Sequence, residues 1–282
     1  IVVCDGIRIG GKPSSEAETE DPPAVKLGRQ AAGDAGKKPS RSAGAAAGQQ
    51  MPVGGATKSQ DTKPPLLVVG SLNVDLICEV ERLPSRGENI DARSPGVGKA
   101  LGGKGANQAI AAARLSQGTG LSTQFVCQFG DDAHASWLES VLVENGVVLD
   151  ACGRAESCSS GTGLVLLEAE GSVAAVVVGG SNAAWTAAQA EALVPRVKGA
   201  AALLLQREIP EEVNEILAAA AHAARVPVIQ DVGGADRPMS DAHLSHLSYI
   251  CPNESELARL TGMPTGTLEE CVAAAKALQA RG

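Results

Sequence analysis

The chain has 282 residues, a formal net charge of −8, seven cysteines and only 2% aromatic residues. An acidic balance without a basic run and with few aromatic residues argues against nucleic acid as a partner. No apolar stretch reaches membrane-spanning length, so no membrane partner is expected. The cysteines are odd in number and never spaced as Cys-x-x-Cys, which indicates a reduced intracellular, cytoplasmic compartment without structural zinc.

Residues 1–64 differ sharply in composition from the rest of the chain. They are rich in Gly, Ala, Ser, Pro and Lys and have no sustained apolar period, which predicts a disordered tail. A plastid targeting segment is the alternative, although Glu16, Glu18 and Glu20 are unusual for such a segment. Residues 65–282 are expected to form one α/β domain.

The first predicted strand is the apolar run LLVVG at residues 66–70, a pattern typical of a parallel strand buried on both faces. Asn73 and Asp75 follow it, at the edge where open α/β sheets bind ligands. The amide can donate and accept hydrogen bonds and the carboxylate can accept them, so the pair suits the neighbouring hydroxyls of a sugar. The alternative is an Asx turn that merely closes the strand.

A glycine-rich segment, GKALGGKGANQAIAAARL at residues 98–115, comes next. Gly102, Gly103 and Gly105 surround Lys104 and precede an Ala-rich run that is predicted to be helical. Glycines ahead of a helix start expose N–H donors to a polyhydroxylated or anionic ligand. The alternative is a tight turn in which the glycines only allow close packing. A P-loop is disfavoured, because Gly105 stands where Ser or Thr would hold Mg²⁺.

Two pairs of short extended segments are predicted from their partly alternating pattern. The first pair is residues 76–80 and 89–97, and the second is a hairpin of residues 162–169 and 172–178 that turns at Gly171.

The remaining elements alternate strands and helices. Strands are predicted at residues 124–129, 201–206, 226–231 and 248–251, and helices at residues 133–144, 210–225 and 268–280. Asp132 is interpreted as a helix cap rather than a catalytic acid. Glu208 lies at the carboxyl end of a strand, where it either faces the ligand or is a solvated or capping charge.

Asn253 and Glu256 lie three residues apart at the start of a predicted helix, in the segment PNESE. Taken alone, this spacing is typical of an N-cap followed by an acidic first turn. His243 and His246 are also three residues apart, but no third ligand is apparent, so no metal site is predicted there.

Three segments together, VVGSLNVD, LGGKGANQAIAAARL and PNESE, closely resemble the ribokinase branch of the ribokinase/PfkB sugar-kinase family, which also contains fructokinases and adenosine kinase. The resemblance runs from about residue 66 to the last residue. It implies a three-layer α/β/α core with a mostly parallel sheet and a small β-sheet lid, whose strands would lie within residues 76–97 and 162–178. Closure of this lid would exclude water from the transfer of a phosphoryl group to the sugar. A lysine between the glycines, here Lys104, resembles the ribokinase branch in particular. The segment after Asp231 looks more like the corresponding segment of plant and algal members than that of bacterial ones.

The resemblance also implies roles for individual residues. Sugar contacts are expected from two segments and a glutamate in the family's Gln-x-Glu pattern: Asn73, Val74 and Asp75; Gly103, Lys104, Gly105, Ala106 and Asn107; and Glu208. Asn253 is expected near the nucleotide phosphates, and Glu256 is expected to order Mg²⁺ through water. The implied activity is ATP-dependent phosphorylation of D-ribose to D-ribose 5-phosphate, with K⁺ as an activating ion and a homodimer formed through the lid.

The chain departs from the family pattern in one respect. The family's Gly-Ala-Gly-Asp motif, whose aspartate acts as the catalytic base and whose glycine amides form an anion hole, would lie beyond Gly282. We therefore expect an incomplete fold at the C-terminus, no catalytic residue within residues 1–282, and negligible kinase activity from these residues alone. A non-catalytic sugar-binding protein, a fructokinase and a nucleoside kinase are the alternatives.

Overall fold

A computed structural model describes residues 63–282. The predicted disordered or targeting segment therefore lies, apart from its last two residues, outside the described residues. The main sheet has six strands, all paired in parallel: β1 (Leu66–Val69), β4 (Thr123–Val126), β6 (Val147–Val148), β10 (Ala202–Arg207), β11 (Val228–Gly234) and β12 (Tyr249–Cys251). Their spatial order is β12-β11-β10-β1-β4-β6.

Helices cover both faces of this sheet, which gives three layers. The described helices are α1 (Lys104–Leu115), α2 (Ala133–Glu144), α3 (Ala187–Lys198), α4 (Glu211–Ala223), α5 (Asp241–Leu244), α6 (Glu254–Thr261) and α7 (Leu268–Gln279). Val68 packs with α1 and α2 on one face, whereas Leu67 and Val69 pack with α3 and α4 on the other. Successive side chains of a strand point to opposite faces, so the uninterrupted apolar run of β1 fills both cores, as predicted.

A smaller sheet rises from the carboxyl edge of the main sheet. Its strands are β2 (Asn73–Val80), β3 (Gly98–Gly102), β8 (Gly161–Glu168) and β9 (Val173–Val178), in the order β3-β2-β8-β9. Only residues 70–72 separate β1 from β2, so the small sheet begins where the main sheet ends. A third, two-stranded sheet pairs β5 (Gln128–Phe129) with β7 (Gly153–Arg154).

The hairpin prediction is confirmed, because β8 and β9 pair antiparallel around Gly171. The predicted strand at residues 89–97 is wrong. These residues form no strand, and the partner of β2 is instead β3, part of the glycine-rich segment. Pro95 and Gly96 interrupt the extended pattern, whereas the small residues of β3 fit beside the Asp75 side chain.

The predicted strand at residues 124–129 is divided at Cys127 into β4 and β5, which belong to different sheets. Within residues 63–282, no helix is long and apolar enough to cross a membrane.

Candidate functional site

The N-terminus of α1 is the structural centre of the site. Gly103 precedes the helix with φ +88°, and no side chain of α1 caps its own first turn. Instead, the backbone N–H of Lys104 donates to Glu208 Oε2 at 2.8 Å, and the N–H of Gly105 donates to Ser71 Oγ at 3.1 Å. The first N–H groups of a helix need partners, and here strands distant in sequence supply them.

Ser71 and Glu208 connect three strands to this helix start. Ser71 is fully buried between β1 and β2, and its hydroxyl donates to Glu208 Oε2 at 2.6 Å. Its carbonyl also accepts from the N–H of Ala106 at 2.9 Å. Glu208, directly after β10, is therefore held with its carboxylate at the positive end of α1, where a negative charge stabilises a helix start. Of the two alternatives for Glu208, a capping charge and a ligand contact, the structure shows the capping role.

Two glycines of the motif are required by close backbone contacts. A Cβ on Gly105 would lie 2.5 Å from the backbone nitrogen of Ser71, and one on Gly103 would lie 3.0 Å from the Cα of Leu72. A side chain on Gly103 would also strain the positive φ. Close packing, the alternative considered for this motif, is thus one of its functions, and it brings the first turn of α1 against the junction of the two sheets.

Asp75 lies within β2, in the small sheet, rather than in a turn after β1. A Cβ on Gly102 or on Gly163 would collide with its carboxylate, so glycines on both flanking strands make room for it. Burial, and secondly the nearby charge of Glu208, raise the pKa of Asp75 above its usual value. The charge of Glu208 therefore acts on the Asp75 carboxylate.

Asn73 lies two residues before Asp75, on the same face of β2, and is almost fully buried. Its Oδ1 accepts from Nδ2 of Asn182 at 2.7 Å. Asn182, in the 3-10 helix Gly180–Ala183, also accepts from the N–H of Leu72 at 2.8 Å. Asn182 thus orients the Asn73 amide, and sequence reasoning missed it because nothing local distinguishes it from an ordinary loop asparagine.

Lys104 extends toward the carboxyl end of β11. Its Nζ lies 3.9 Å from Oδ1 of Asp231, and a Cβ on Gly233 would collide with its Cε and Nζ. Asp231 was not predicted as a site residue. It ends the strand predicted at residues 226–231, and the rule that ligands bind at the carboxyl ends of parallel strands could have identified it.

The site carries more negative than positive charge. The pKa of Asp231 is raised, mainly by burial. The charge of Lys104 and the hydrogen bond from the N–H of Gly233 lower this pKa, whereas the charges of Glu256 and Glu208 raise it further. One ammonium group therefore faces several carboxylates. Such a site accepts hydrogen bonds from an uncharged polyhydroxylated ligand and repels an anionic one.

Asn253 and Glu256 form a capping box at the start of α6. Asn253 Oδ1 accepts from the N–H of Glu256 at 2.9 Å, and Glu256 Oε2 accepts from the N–H of Asn253 at 2.9 Å. The cap expected from the spacing alone is confirmed. Residues 63–282 contain no group of three or more His, Cys, Asp or Glu side chains arranged to hold a metal ion. The roles of Asn253 and Glu256 toward nucleotide and Mg²⁺ stay predictions.

Three further predicted residues contribute differently from one another. The side chains of Val74 and Ala106 are fully buried in the core between the main sheet and α1, so only their backbone groups are available to a ligand. Asn107 is exposed in the first turn of α1, and its N–H donates to Gly103 O at 3.0 Å.

The structure thus brings Asp75, Lys104 and Glu208 together with Asp231, and places Asn73 beside them. A separate groove of about 160 Å³ follows edge strand β12 and is lined by Leu244, Leu278, Ile250 and neighbouring residues. Its walls lack the charged side chains of the α1 site, so the α1 site is the better candidate for a sugar.

Comparison with known proteins agrees with this geometry. The sequence profile of "pfkB family carbohydrate kinase" matches residues 63–282. A ribokinase from Arabidopsis thaliana is 43% identical over 211 residues, which are 73% of this chain and 54% of the relative. A ribokinase from Schizosaccharomyces pombe is 34% identical over 69% of this chain and 61% of the relative. The chain therefore spans a little over half the length of these curated relatives.

Solved structures show the same fold. The structure of Arabidopsis thaliana ribokinase complexed with ribose and ATP matches with a TM-score of 0.70 and 40% identity, over 78% of this chain and 70% of that one. A ribokinase from Thermotoga maritima matches with a TM-score of 0.66 and 25% identity, over 78% of this chain and 69% of that one. The α/β fold with a smaller second sheet is confirmed, and the chain belongs to the pfkB family of carbohydrate kinases.

Proposed function

We propose that this protein is a ribokinase, which transfers the γ-phosphoryl group of ATP to the primary hydroxyl of D-ribose and yields D-ribose 5-phosphate. The observation that carries the proposal is the arrangement at the N-terminus of α1, where the backbone N–H of Lys104 donates to Glu208 and the Lys104 ammonium lies 3.9 Å from Asp231. Asp75 lies on β2, which pairs with the strand that leads into α1. Relatives named ribokinase, at 43% and 34% identity, support ribose as the substrate class.

The sugar-binding groups have complementary hydrogen-bonding capacity. Asp75 and Glu208 accept from ribose hydroxyls, Lys104 donates, and the Asn73 amide is oriented by Asn182. Gly103 and Gly105 keep the chain close enough for backbone groups of residues 103–107 to reach the sugar. Ribose, being uncharged, meets no repulsion from the surplus carboxylates, whereas a sugar phosphate does.

The residues also fit a nucleotide with its metal. The Asn253 cap uses Oδ1, which leaves Nδ2 to donate to a phosphate oxygen. Glu256 uses Oε2 for the cap and has Oε1 to accept from the water shell that Mg²⁺ retains. The charge of Glu256 contributes to the raised pKa of Asp231, after the larger effect of burial, and such an accumulation of negative charge suits a divalent cation. Mg²⁺, when bound, neutralises phosphate charge; the K⁺ requirement rests on the family resemblance.

Phosphoryl transfer depends mainly on positioning and charge stabilisation. Residues 1–282 contain no Gly-Ala-Gly-Asp segment to supply the base and anion hole implied by the resemblance. We therefore expect a polypeptide of these residues to bind ribose but to release no ribose-dependent ADP above background in a coupled assay. Turnover well above the ribose-free blank would contradict this expectation.

Calorimetric titration with ribose, fructose and adenosine tests the substrate assignment. Of the three ligands, ribose is expected to bind most tightly. The substitutions Asp75→Asn and Glu208→Gln are expected to weaken ribose binding. Glu191→Gln is the matched control, because Glu191 is an exposed carboxylate on α3, remote from α1. Tighter binding of fructose or adenosine would reassign the substrate, and the absence of binding by all three would overturn the sugar site.

The lid is also proposed to pair with a second copy of the chain. The edge strand β9 exposes apolar side chains on both faces, including Val176 at 63% and Val177 at 60%. An exposed apolar edge strand is a template for pairing with another strand. A homodimer through the lid would bury this edge.

A further inference from the structure

The thiols of Cys127 and Cys152 lie 3.7 Å apart. Cys127 separates β4 from β5, and Cys152 directly precedes β7. Gln128 pairs with Gly153 in parallel register, and the N–H of Gly153 donates to the carbonyl of Cys127 at 2.9 Å. Cys127 and Cys152 each precede one member of this residue pair, so the two cysteines lie side by side at the ends of the paired strands.

This backbone arrangement is compatible with a disulfide. Adjacent strands are spaced by about 4.8 Å, and disulfide-bonded Cα atoms are separated by roughly 4.4 to 6.8 Å. The sulfur atoms must close from 3.7 Å to about 2.05 Å, a movement within reach of side-chain rotation. The cost is the hydrogen bond that the Cys152 thiol donates to the Phe125 carbonyl at 3.2 Å.

The two thiols differ in access and in acidity. Cys127 is fully buried, whereas Cys152 is partly exposed. The S–H of Cys127 donates a hydrogen bond to the sulfur of Cys152. This hydrogen bond is the main cause of the lowered pKa of Cys152, whereas burial and the charges of Glu139 and Asp150 act in the opposite direction. Burial raises the pKa of Cys127. Cys152 is thus the accessible nucleophile, and Cys127 is the second thiol that completes the exchange.

We propose that Cys127 and Cys152 form a reactive dithiol that a low-molecular-weight disulfide such as glutathione disulfide converts to an intramolecular disulfide. The Cys152 thiolate attacks one sulfur of the oxidant, whose S–S bond breaks and releases one thiolate that takes up a proton. The Cys127 thiolate then attacks the Cys152 sulfur and releases the second thiolate. The protein loses two protons and two electrons, and the oxidant is reduced to two thiols.

Peptide mapping tests the proposal on the full chain. Residues 115–154 contain these two cysteines, no other cysteine, and no Lys or Arg before Arg154, so trypsin releases both in one peptide. After exposure to glutathione disulfide and alkylation, this peptide is expected to lack two hydrogens and to carry no alkyl group. Cleavage after Glu139 or Glu144 is expected to leave its two pieces joined until a reductant is added.

Single-cysteine variants distinguish the two roles. In Cys127→Ala, the glutathione adduct on Cys152 is expected to accumulate, because no second thiol displaces it. In Cys152→Ala, Cys127 is expected to stay reduced, because it is buried. Cys158→Ser is the matched control, since Cys158 is a partly exposed cysteine outside the pair, and the variant is expected to oxidise as the parent does.

The proposal is overturned if residues 115–154 stay fully alkylated while Cys158 acquires glutathione, or if Cys152 bonds to any cysteine other than Cys127. Because the disulfide closes a loop that contains the whole of α2, the oxidised chain is also expected to unfold at a higher temperature than the reduced chain. A lower unfolding temperature in the oxidised chain would show that the reduced geometry does not accommodate the bond.

Discussion

Substitution of Gly233 by alanine tests whether the last residues of β11 position Lys104. Gly233 does not have a positive φ, so its backbone tolerates a side chain. The added Cβ would collide with Cε and Nζ of Lys104 and would lie 2.9 Å from Oδ1 of Asp231. The Lys104 terminus is flexible and 42% of its side chain is exposed, so it is expected to move aside without unfolding the protein.

The magnitude follows from the displaced interaction. Ordinary contact distances require the ammonium group to shift by more than about 1 Å, which removes its hydrogen bond to a bound ribose. A hydrogen bond to a charged group contributes about 1.5 to 3 kcal/mol when it is well shielded. For a partly exposed lysine we expect the lower end of that range, which corresponds to roughly tenfold weaker ribose binding. The free energy of unfolding is expected to change by less than about 1 kcal/mol.

Calorimetry with ribose provides the assay, and two further variants make it specific. Lys104→Met is expected to show a similar loss, and Gly233→Ala combined with Lys104→Met is expected to lose little more than either alone. Gly96→Ala is the control, because a Cβ there meets no atom within 4 Å. Parental affinity in Gly233→Ala alongside a clear loss in Lys104→Met would refute the reasoning, and so would full additivity of the two changes.

Three other outcomes follow from the structure. Asp75→Asn is expected to weaken ribose binding in calorimetry yet raise the thermal midpoint at pH 7. The pKa of Asp75 is raised in the folded protein, so its ionised form opposes folding at neutral pH, and this cost disappears below the usual pKa near 3.8. A lower midpoint at pH 7 would contradict this sign. Asp132→Ala is expected to lower unfolding free energy by about 2 kcal/mol in urea titrations, because Asp132 caps α2 and binds the N–H of Ser160 at 2.7 Å. Burial opposes the ionised form of Asp132, but these hydrogen bonds outweigh it and lower the pKa of Asp132. The loss of unfolding free energy in the variant should therefore persist at pH 5 and shrink as the pH falls below 3.8. A loss that stays constant with pH would refute the assignment. Val177→Lys is expected to reduce the dimer fraction in sedimentation velocity, whereas Leu115→Lys, at a residue 84% exposed at the end of α1, should leave it unchanged.

Local sequence patterns determined most of the main sheet and the helix starts. The apolar run of β1 can be read because a parallel strand between two helical layers needs apolar residues at successive positions. Asp132 and the Asn253–Glu256 pair were readable as caps because a helix start needs acceptors at fixed spacing. The Gly102–Gly105 segment, together with VVGSLNVD and PNESE, carried the resemblance to the family, because it places three glycines and a lysine at a helix start.

Tertiary structure alone decided the partners that are distant along the chain. The pairing of β3 with β2 depends on glycines that accommodate Asp75, and extended-strand propensity cannot show this. Asn182 orients Asn73 from 109 residues away. Asp231 meets Lys104 only because α1 begins at the edge of the sheet where β11 ends. The contact between Cys127 and Cys152 likewise arises from strand register across 25 residues. Local sequence patterns reflect the interactions of a residue within its own turn, helix or strand. The contacts above join residues that are distant in sequence, so they form only when the sheets and helices pack together.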